Sequence, residues 1–198
     1  AGDHSISISG TFPNIYFAYT GDRSKVIAVT NLGQVGWQTF KSAFMGCEYM
    51  SSFNFGTHTD TSSITDMSGM FRACERLPTV NLSTLNTSSV TNFSRMFEEM
   101  MRRTPGGAGI DVSNLDTSSG INFSYMFSSM SYLTSLDVSN FDTSNATSMS
   151  SMFNGLTRLA SLDVSNFDTS NATSMSSMFY SMFGVTSLDV SNFDTSNV

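Results

Sequence analysis

Two segments of the chain carry the same eighteen letters. Residues 136–153 and residues 162–179 both read LDVSNFDTSNATSMSSMF, which sets a period of 26 residues. Related copies, with decay toward the N-terminus, make the repeat run from about Gln38 to the last residue. The copies begin at Phe53, Val80, Ile110, Leu136, Leu162 and Leu188. A unit of this size is too small to bury its own apolar face, so the units are predicted to stack and share one core.

Each repeat contains two kinds of apolar spacing. In residues 133–139 apolar and polar positions alternate, which predicts a strand with Ser135, Asp137 and Ser139 on its outer face. In residues 146–153 apolar positions recur every three or four residues, which predicts one face of a short helix or helical turn. The intervening letters NFDTSN are typical of a turn and a helix start, because Asp and Asn side chains accept backbone N–H bonds.

Stacking predicts that equivalent apolar residues form columns through the core. The Phe column contains Phe71, Phe97, Phe127, Phe153 and Phe179; the Met column contains Met70, Met96, Met126, Met152 and Met178; the Leu column contains Ile110, Leu136, Leu162 and Leu188. Methionine can also line an adaptable binding groove. The repeat spacing favours the core for these residues.

Composition restricts the partners of the chain. It has 198 residues, a net charge of −7 and a sequence pI of about 4.5, so a nucleic-acid partner held by phosphate neutralisation is not expected. No apolar run approaches the roughly 20 residues that a membrane helix needs, so membrane insertion of this segment is not expected either. Residues 110–198 contain eight acids and one base, Arg158, so the net charge resides in this half.

The repeat resembles a known family. The spacing of Phe71, Cys74 and Leu77 ahead of the next repeat is similar to bacterial surface leucine-rich repeats of the BspA type. The letters SLDVSNFDTSN followed by TSMSSMF resemble the 26-residue repeat of surface proteins from Firmicutes, mycoplasmas and marine bacteria. The resemblance implies a right-handed solenoid of the leucine-rich-repeat type with a parallel sheet on one face. It also implies a secreted or cell-surface location, an adhesive role and no catalysis.

Residues 1–36 lie outside the repeat. Residues 4–12, 14–20 and 25–31 are predicted strands, with a turn at Gly21. The pattern GxHxIxIxG at residues 2–10 resembles the last strand of a polycystic-kidney-disease-type immunoglobulin-like domain. Residues 1–36 are therefore either an N-terminal β-cap or the tail of such a domain, and residues 37–198 are the predicted solenoid. We expect Trp37 to close the junction.

No pattern in the sequence supports catalysis. The two histidines, His4 and His58, are far apart in sequence, and the GGAG segment at 106–109 lacks the lysine of a phosphate-binding loop. Cys47 and Cys74 occupy equivalent positions of neighbouring repeats. The spacing of neighbouring repeats would allow a disulfide between them, although their core-facing position favours two buried free thiols. The chain is predicted to be no enzyme and to need no cofactor.

The exposed face of the predicted strands is the candidate binding surface. Its residues are Ser135, Asp137, Ser139, Ser161, Asp163, Ser165, Ser187, Asp189 and Ser191. One aspartate column on this face contains Asp111, Asp137, Asp163 and Asp189, and a second contains Asp116, Asp142, Asp168 and Asp194. The second is expected to cap turns. The first is expected to be a solvated acidic surface, with calcium bridging as the alternative because the ligands are oxygens.

Three functions remain open from the sequence. The first is a surface-exposed module that binds a protein or a surface glycan. The second is a structural stalk or filament subunit that uses the repeats as a spacer, and the third is a receptor-binding fibre of a phage. Since Val198 falls inside a repeat, we expect a junction there, with Leu188, Val190 and Phe193 as a docking edge for self-association or for further repeats.

Overall fold

The computed structural model describes residues 5–57, 59–104 and 109–198. Its regular elements in these ranges are a 3-10 helix at Arg23–Lys25, strand β1 at Ala28–Val29 and strand β2 at Ser52–Phe53. The two strands pair in parallel, with Ala28 opposite Ser52. The remaining pairing consists of single parallel bridges between successive repeats: Asn54–Asn81, Asp66–Asn92, Asn92–Asn122, Gly109–Ser135, Asn122–Ser148 and Ser148–Ser174.

Each repeat is hydrogen-bonded to the next one along the chain. The backbone N–H of Met149 donates to the carbonyl oxygen of Ser174 at 2.9 Å, and the N–H groups of Ser151 and Phe153 make the equivalent bonds at 2.9 and 3.0 Å. We call the residues at one position of successive repeats a column. Along the Phe column the same N–H to carbonyl bond recurs as Phe44–Met70, Phe71–Met96, Phe97–Met126, Phe127–Met152 and Phe153–Met178.

Of the two alternatives predicted for residues 146–153, a short helix or a helical turn, the structure has only single hydrogen-bonded turns, and the spacing correctly identifies the buried residues. Ala146, Met149, Met152 and Phe153 are all fully buried. The backbone N–H groups, however, alternate between two kinds of partner: that of Met152 donates to the carbonyl oxygen of Met149 and closes a four-residue turn, whereas that of Phe153 donates to the carbonyl oxygen of Met178 in the next repeat. Because every second N–H serves the neighbouring repeat, the continuous bonding of an α-helix cannot form.

Residues with left-handed backbone conformation also prevent a continuous helix. Two columns have positive φ in every repeat, four residues apart, as at Ser151 (φ 55°) and Gly155 (φ 75°). The first column contains Ser42, Gly69, Arg95, Tyr125, Ser151 and Ser177, and the second contains Gly46, Ala73, Glu99, Ser129, Gly155 and Ser181. A left-handed residue reverses the local winding of the chain, so it ends each turn before a second helical turn begins.

The strand predicted at residues 133–139 is reduced to one bridge. Leu133 and Val138 are buried and Ser135, Asp137 and Ser139 are exposed, as the alternation predicts. The extended segment stops at Asp137, however, because its carboxylate accepts the backbone N–H of Ser139 at 2.9 Å. This side-chain bond turns the chain where a longer strand would have to continue.

The core is a set of residue columns, foremost the predicted Phe column. Its five predicted rings are buried or half-buried. Phe127 and Phe153 have ring centroids 6.0 Å apart and planes inclined by 2°, and Phe153 and Phe179 repeat this geometry at 6.0 Å and 6°. The Met column is likewise buried along its whole length. Parallel offset rings of this kind add a favourable aromatic term to apolar burial.

The N-terminal segment lies on the first repeat in the same register. The predicted strands at 4–12 and 14–20 do not form within the described residues, and Ile6 is 88% exposed because no neighbouring segment covers it. Of the third predicted strand only Ala28–Val29 forms. The N–H of Phe17 nevertheless donates to the carbonyl oxygen of Ala43 at 3.3 Å, as the later Phe residues do. Residues 12–36 therefore form a further layer on the first repeat, and it is their shared register with the repeats that the sequence did not reveal.

Trp37 lies between this layer and the repeats. Its side chain is buried, and its ring contacts Phe12 at 5.8 Å and Phe40 at 5.2 Å between centroids. Its indole Nε1–H donates to the carbonyl oxygen of Gly33 at 3.2 Å. The tryptophan thus packs at the junction where the sequence placed it.

Candidate interaction surfaces

The nine predicted surface residues are all exposed, but their aspartates have structural partners. Asp163 accepts the backbone N–H of Ser165 at 2.9 Å, and Asp111, Asp137 and Asp189 make the equivalent bond to the serine two residues later. We call the nine residues the Asp–Ser strip. Hydrogen bonds from Ser165 lower the pKa of Asp163 against the opposing effect of the neighbouring carboxylates of Asp137 and Asp189. The strip is therefore an ionised and locally ordered face.

The second aspartate column caps turns as predicted. Asp168 accepts the N–H of Ser170 at 2.9 Å, and the same bond recurs at Asp116, Asp142 and Asp194. The serine hydroxyl and backbone N–H lower the pKa of Asp116 and of Asp168. The two columns thus share one structural function, although the sequence distinguished them.

A shallow groove lies at one end of the Asp–Ser strip, where Ser135, Asp137 and Ser161 line it. Its volume is about 410 Å³ and it opens to solvent. It is lined by Gly109, Ile110, Asp111, Thr134, Ser135, Leu136, Asp137 and Ser161. Such an open groove, whose lining is polar and apolar in about equal parts, suits an extended chain-like ligand better than an enclosed small molecule.

A buried threonine column was not found from the sequence. Thr143 and its equivalents are about 1% exposed, and each hydroxyl is bonded to a residue of the next repeat. The column contains Thr61, Thr87, Thr117, Thr143 and Thr169. Because threonine is polar, its place in the motif FDTSN did not indicate that it is buried. The one available indication was that the threonine is constant among the repeats.

Arginine and tyrosine side chains stack along another edge of the repeats. The guanidinium carbon of Arg158 lies 4.2 Å from the Tyr132 ring centroid, and that of Arg95 lies 4.1 Å from Tyr125. The same contact joins Arg76 to Tyr49 at 4.8 Å. Arg158 and Tyr132 come from two of the segments that differ most between repeats, residues 154–161 and 128–135.

A buried carboxylate organises the charged part of this edge. The Glu98 side chain is 8% exposed and lies 2.5 Å from Arg72 Nε, while Arg95 Nη1 donates to both of its oxygens at 2.9 Å. Arg72 in turn lies over the Tyr19 ring at 5.5 Å, and burial raises the pKa of the Tyr19 hydroxyl. The cluster joins the N-terminal layer to the early repeats.

Cys47 and Cys74 are free and buried. Burial raises the pKa of the Cys47 thiol to about 12 and that of Cys74 well above its usual range. The Cys74 thiol donates to the carbonyl oxygen of Phe44 at 3.3 Å. Both thiols are therefore unreactive in the native fold.

The predicted docking edge is more exposed than its equivalents. Val190 is 41% exposed, whereas the equivalent Val164 is 1% exposed. Leu188 and Phe193 are half-buried, and Phe193 packs on Phe179 with centroids 6.1 Å apart. The edge therefore presents partly exposed apolar side chains.

The remaining points concern the histidines, metal ligands and membrane-spanning helices. His4, His58 and residues 106–108 of the GGAG segment lie outside the described residues. Over the part of the chain that the structure describes, no group of three or more His, Cys, Asp or Glu side chains could hold a metal ion. Among the same residues, no helix is long and apolar enough to cross a membrane.

One comparison with known proteins identifies a family over the repeats. A family model described as "Mycoplasma protein of unknown function, DUF285" matches residues 38–135 and again residues 100–198. The chain belongs to this family. The first match begins at Gln38, where the repeats begin, and the double match confirms the tandem-repeat character. The family match is consistent with the resemblance of the sequence to BspA-type repeats. No curated protein and no solved structure matches the chain.

Proposed function

We propose that this member of the DUF285 family is a non-catalytic, surface-exposed interaction module. The repeats would wind as a right-handed solenoid of the leucine-rich-repeat type, in which ordered turns take the place of the helix. The observation that supports this function is the regular exposure of the Asp–Ser strip, with a groove at one end of it. Extended faces of this kind are used by repeat proteins to bind large ligands.

The ligand class that suits this face is a protein or a surface glycan. Both would lie along the strip and meet carboxylates and hydroxyl groups at each repeat. The chain would act in a secreted or cell-surface protein, without a cofactor, a nucleic-acid partner or a catalytic step.

Binding of the purified chain to arrays of extracellular proteins and of glycans tests this function. We expect saturable binding to one ligand class that weakens when Asp137, Asp163 and Asp189 are all changed to Ala. The matched control changes Asp116, Asp142 and Asp168, which cap turns on the second column. Absence of saturable binding on both arrays would contradict an interaction function.

A structural stalk or filament is the second candidate. It is favoured by the identical letters of the last repeats, which suit a spacer. Electron microscopy of concentrated protein distinguishes the two, because a filament subunit would form end-to-end assemblies without any added ligand.

A further inference from the structure

A recess lies where the N-terminal layer meets the first repeats. Its volume is about 380 Å³ and it opens to solvent. It is lined by Gln34, Gly36, Trp37, Gln38, Asp60 and Ser63. Since these residues come from two successive layers of the stack, the packing of one layer on the next forms the recess.

The N-terminal layer is short at this point. The side chains of Asn31 and Asn81 each accept the N–H two residues later, and the N–H groups of Phe40 and Phe93 each donate to the next repeat, so these positions are equivalent. Eight residues separate Asn31 from Phe40, whereas eleven separate Asn81 from Phe93. Residues 31–37 contain no threonine, so this layer adds no member to the threonine column.

One pair of backbone groups beside the recess is open for this reason. The Thr61 hydroxyl accepts the N–H of Asn86 at 2.9 Å and donates to its carbonyl oxygen at 2.8 Å. The threonines of the later repeats do the same at Asp116, Asp142, Asp168 and Asp194. At the equivalent Asp60, neither the N–H nor the carbonyl oxygen has a hydrogen-bond partner among the described residues. The chain itself thus shows that a hydroxyl group fits this pair.

The side chains around this pair also suit hydroxyl groups. The amides of Gln34 and Gln38 and the hydroxyl of Ser63 have no hydrogen-bond partner within the described part of the chain, and each can both donate and accept. The backbone N–H and the hydroxyl of Ser62 donate to one oxygen of the Asp60 carboxylate at 3.0 and 2.7 Å. These bonds lower the pKa of Asp60 and leave its other oxygen as an acceptor.

The lining of the recess indicates the class of ligand. A sugar ring carries several hydroxyl groups, each of which donates and accepts as a threonine hydroxyl does. Its C–H groups can lie against the narrow exposed part of Trp37. The volume lies within the range of small-molecule sites. The carboxylate of Asp60 is the one charge among the six lining residues, which disfavours acidic sugars and phosphates.

We propose that the recess binds a neutral saccharide unit, one hydroxyl of which bridges the backbone N–H and carbonyl of Asp60 as threonine does in the later repeats. The amides of Gln34 and Gln38 and the carboxylate of Asp60 bond to further hydroxyl groups of the same unit. This proposal rests on the interaction function proposed above and assigns a glycan as the ligand. The site shares no residue with the Asp–Ser strip.

Fluorescence titration of the whole 198-residue chain tests the proposal, because Trp37 is the one tryptophan of the sequence. The probes are glucose, galactose, mannose and N-acetylglucosamine, each added alone. We expect at least one of them to change the Trp37 emission saturably. Asp60→Ala should weaken this binding about tenfold or more, because it removes a charged acceptor from the site.

Asp116→Ala is the matched control. Asp116 makes the same turn bond to the N–H of Ser118 at 3.0 Å, but Thr87 already bonds to its backbone N–H and carbonyl. We expect this variant to lose as much thermal stability as Asp60→Ala and to keep the sugar affinity of the parent chain. Gln38→Ala is a second site variant that breaks no hydrogen bond of its side chain among the described residues, and it should also weaken binding.

Each other outcome overturns the proposal. Equal affinity in Asp60→Ala and the parent chain, or an equal loss in Asp60→Ala and Asp116→Ala, would place the sugar elsewhere. Saturable binding of glucuronic acid alone would contradict the neutral ligand. If none of the four sugars changes the Trp37 emission, the saccharide site fails but the interaction function does not, because the protein and glycan arrays test that function separately.

Discussion

The hydroxyl group of Thr143 is hydrogen-bonded to both backbone polar groups of Asp168 in the next repeat. It donates to the carbonyl oxygen at 2.8 Å and accepts the N–H at 2.9 Å. Thr143 is 1% exposed, so water cannot replace either bond. The same pair of bonds recurs through the threonine column. One buried side chain thereby fixes the register of two successive repeats.

Thr143→Val tests the importance of this pair of bonds. Valine keeps the shape of threonine but leaves the N–H and the carbonyl of Asp168 without a partner. We expect a loss of about 1–3 kcal/mol in the free energy of unfolding, measured in urea. Thr147→Val is the control in the same repeat, because the Thr147 hydroxyl is exposed and has only a long bond of 3.4 Å to Ile121. Equal effects of the two variants would contradict the bridging role.

Phe153→Ala tests the Phe column. Phe153 is fully buried between Phe127 and Phe179. Removal of the ring should lower the free energy of unfolding by about 3–5 kcal/mol. Phe183→Ala removes the same ring from a site that is 80% exposed, so it should have almost no effect on stability. A small effect at Phe153 would show that the column does not hold the repeats together.

Burial could be predicted from the sequence because it depends on apolar spacing. The positions of Met149, Met152 and Phe153 follow from a three-residue periodicity, which the turns of the structure share with a helix. The choice between helix and turns depends on where each N–H finds its acceptor. Here the acceptor lies in the following repeat, so spacing within one repeat could not predict it.

The roles of Thr143, Asp137 and Phe17 could not be predicted from the sequence, for a different reason. Thr143 and Asp137 are polar letters, and only the structure shows that the first is buried while the second bonds to Ser139. Phe17 belongs to the Phe column, but its flanking letters have lost the repeat. The one aromatic residue is all that this segment shares with the repeats in sequence. The Asp–Ser strip was predicted to be exposed, and the structure confirms its exposure.

The first aspartate column should contribute to stability only above acidic pH. Its hydrogen bonds lower the folded-state pKa of Asp137, Asp163 and Asp189 below the unfolded value of about 3.9. The contribution is therefore fully present above the unfolded pKa and is lost as pH falls through the folded pKa. Melting temperatures between neutral pH and strong acid should show this loss.

Asparagine at the three positions should reduce the loss in acid and preserve stability at neutral pH. Asn81 occupies the same column and accepts the N–H of Ser83 at 3.0 Å, so an amide oxygen suffices for the turn. Millimolar calcium should change the melting temperature of the parent chain no more than it changes that of the triple variant. A calcium-dependent rise that the asparagines abolish would instead establish a cation site at this column.

Both thiols should resist modification in the native protein. Burial of Cys47 and Cys74 and the raised pKa of each thiol leave almost no accessible thiolate at mildly alkaline pH. Labelling with a maleimide should be slow in buffer and should reach two groups per chain in denaturant without reductant. Rapid native labelling would contradict the burial. Failure to label after denaturation would reveal a disulfide between the neighbouring repeats.

The docking edge should drive association of the 198-residue chain. Val190 is 41% exposed at a position where Val164 is 1% exposed, and Leu188 beside it is half-buried. Burial of such side chains is favourable, and an uncovered layer also offers backbone groups for pairing. Light scattering at several concentrations should show a mass that rises with concentration and returns to that of the monomer when Leu188 and Val190 are changed to Lys. The control changes Ser139 and Ser165 to Lys, which adds the same charge on the Asp–Ser strip away from this edge. A parent chain that remains monomeric at high concentration would contradict association through Leu188 and Val190.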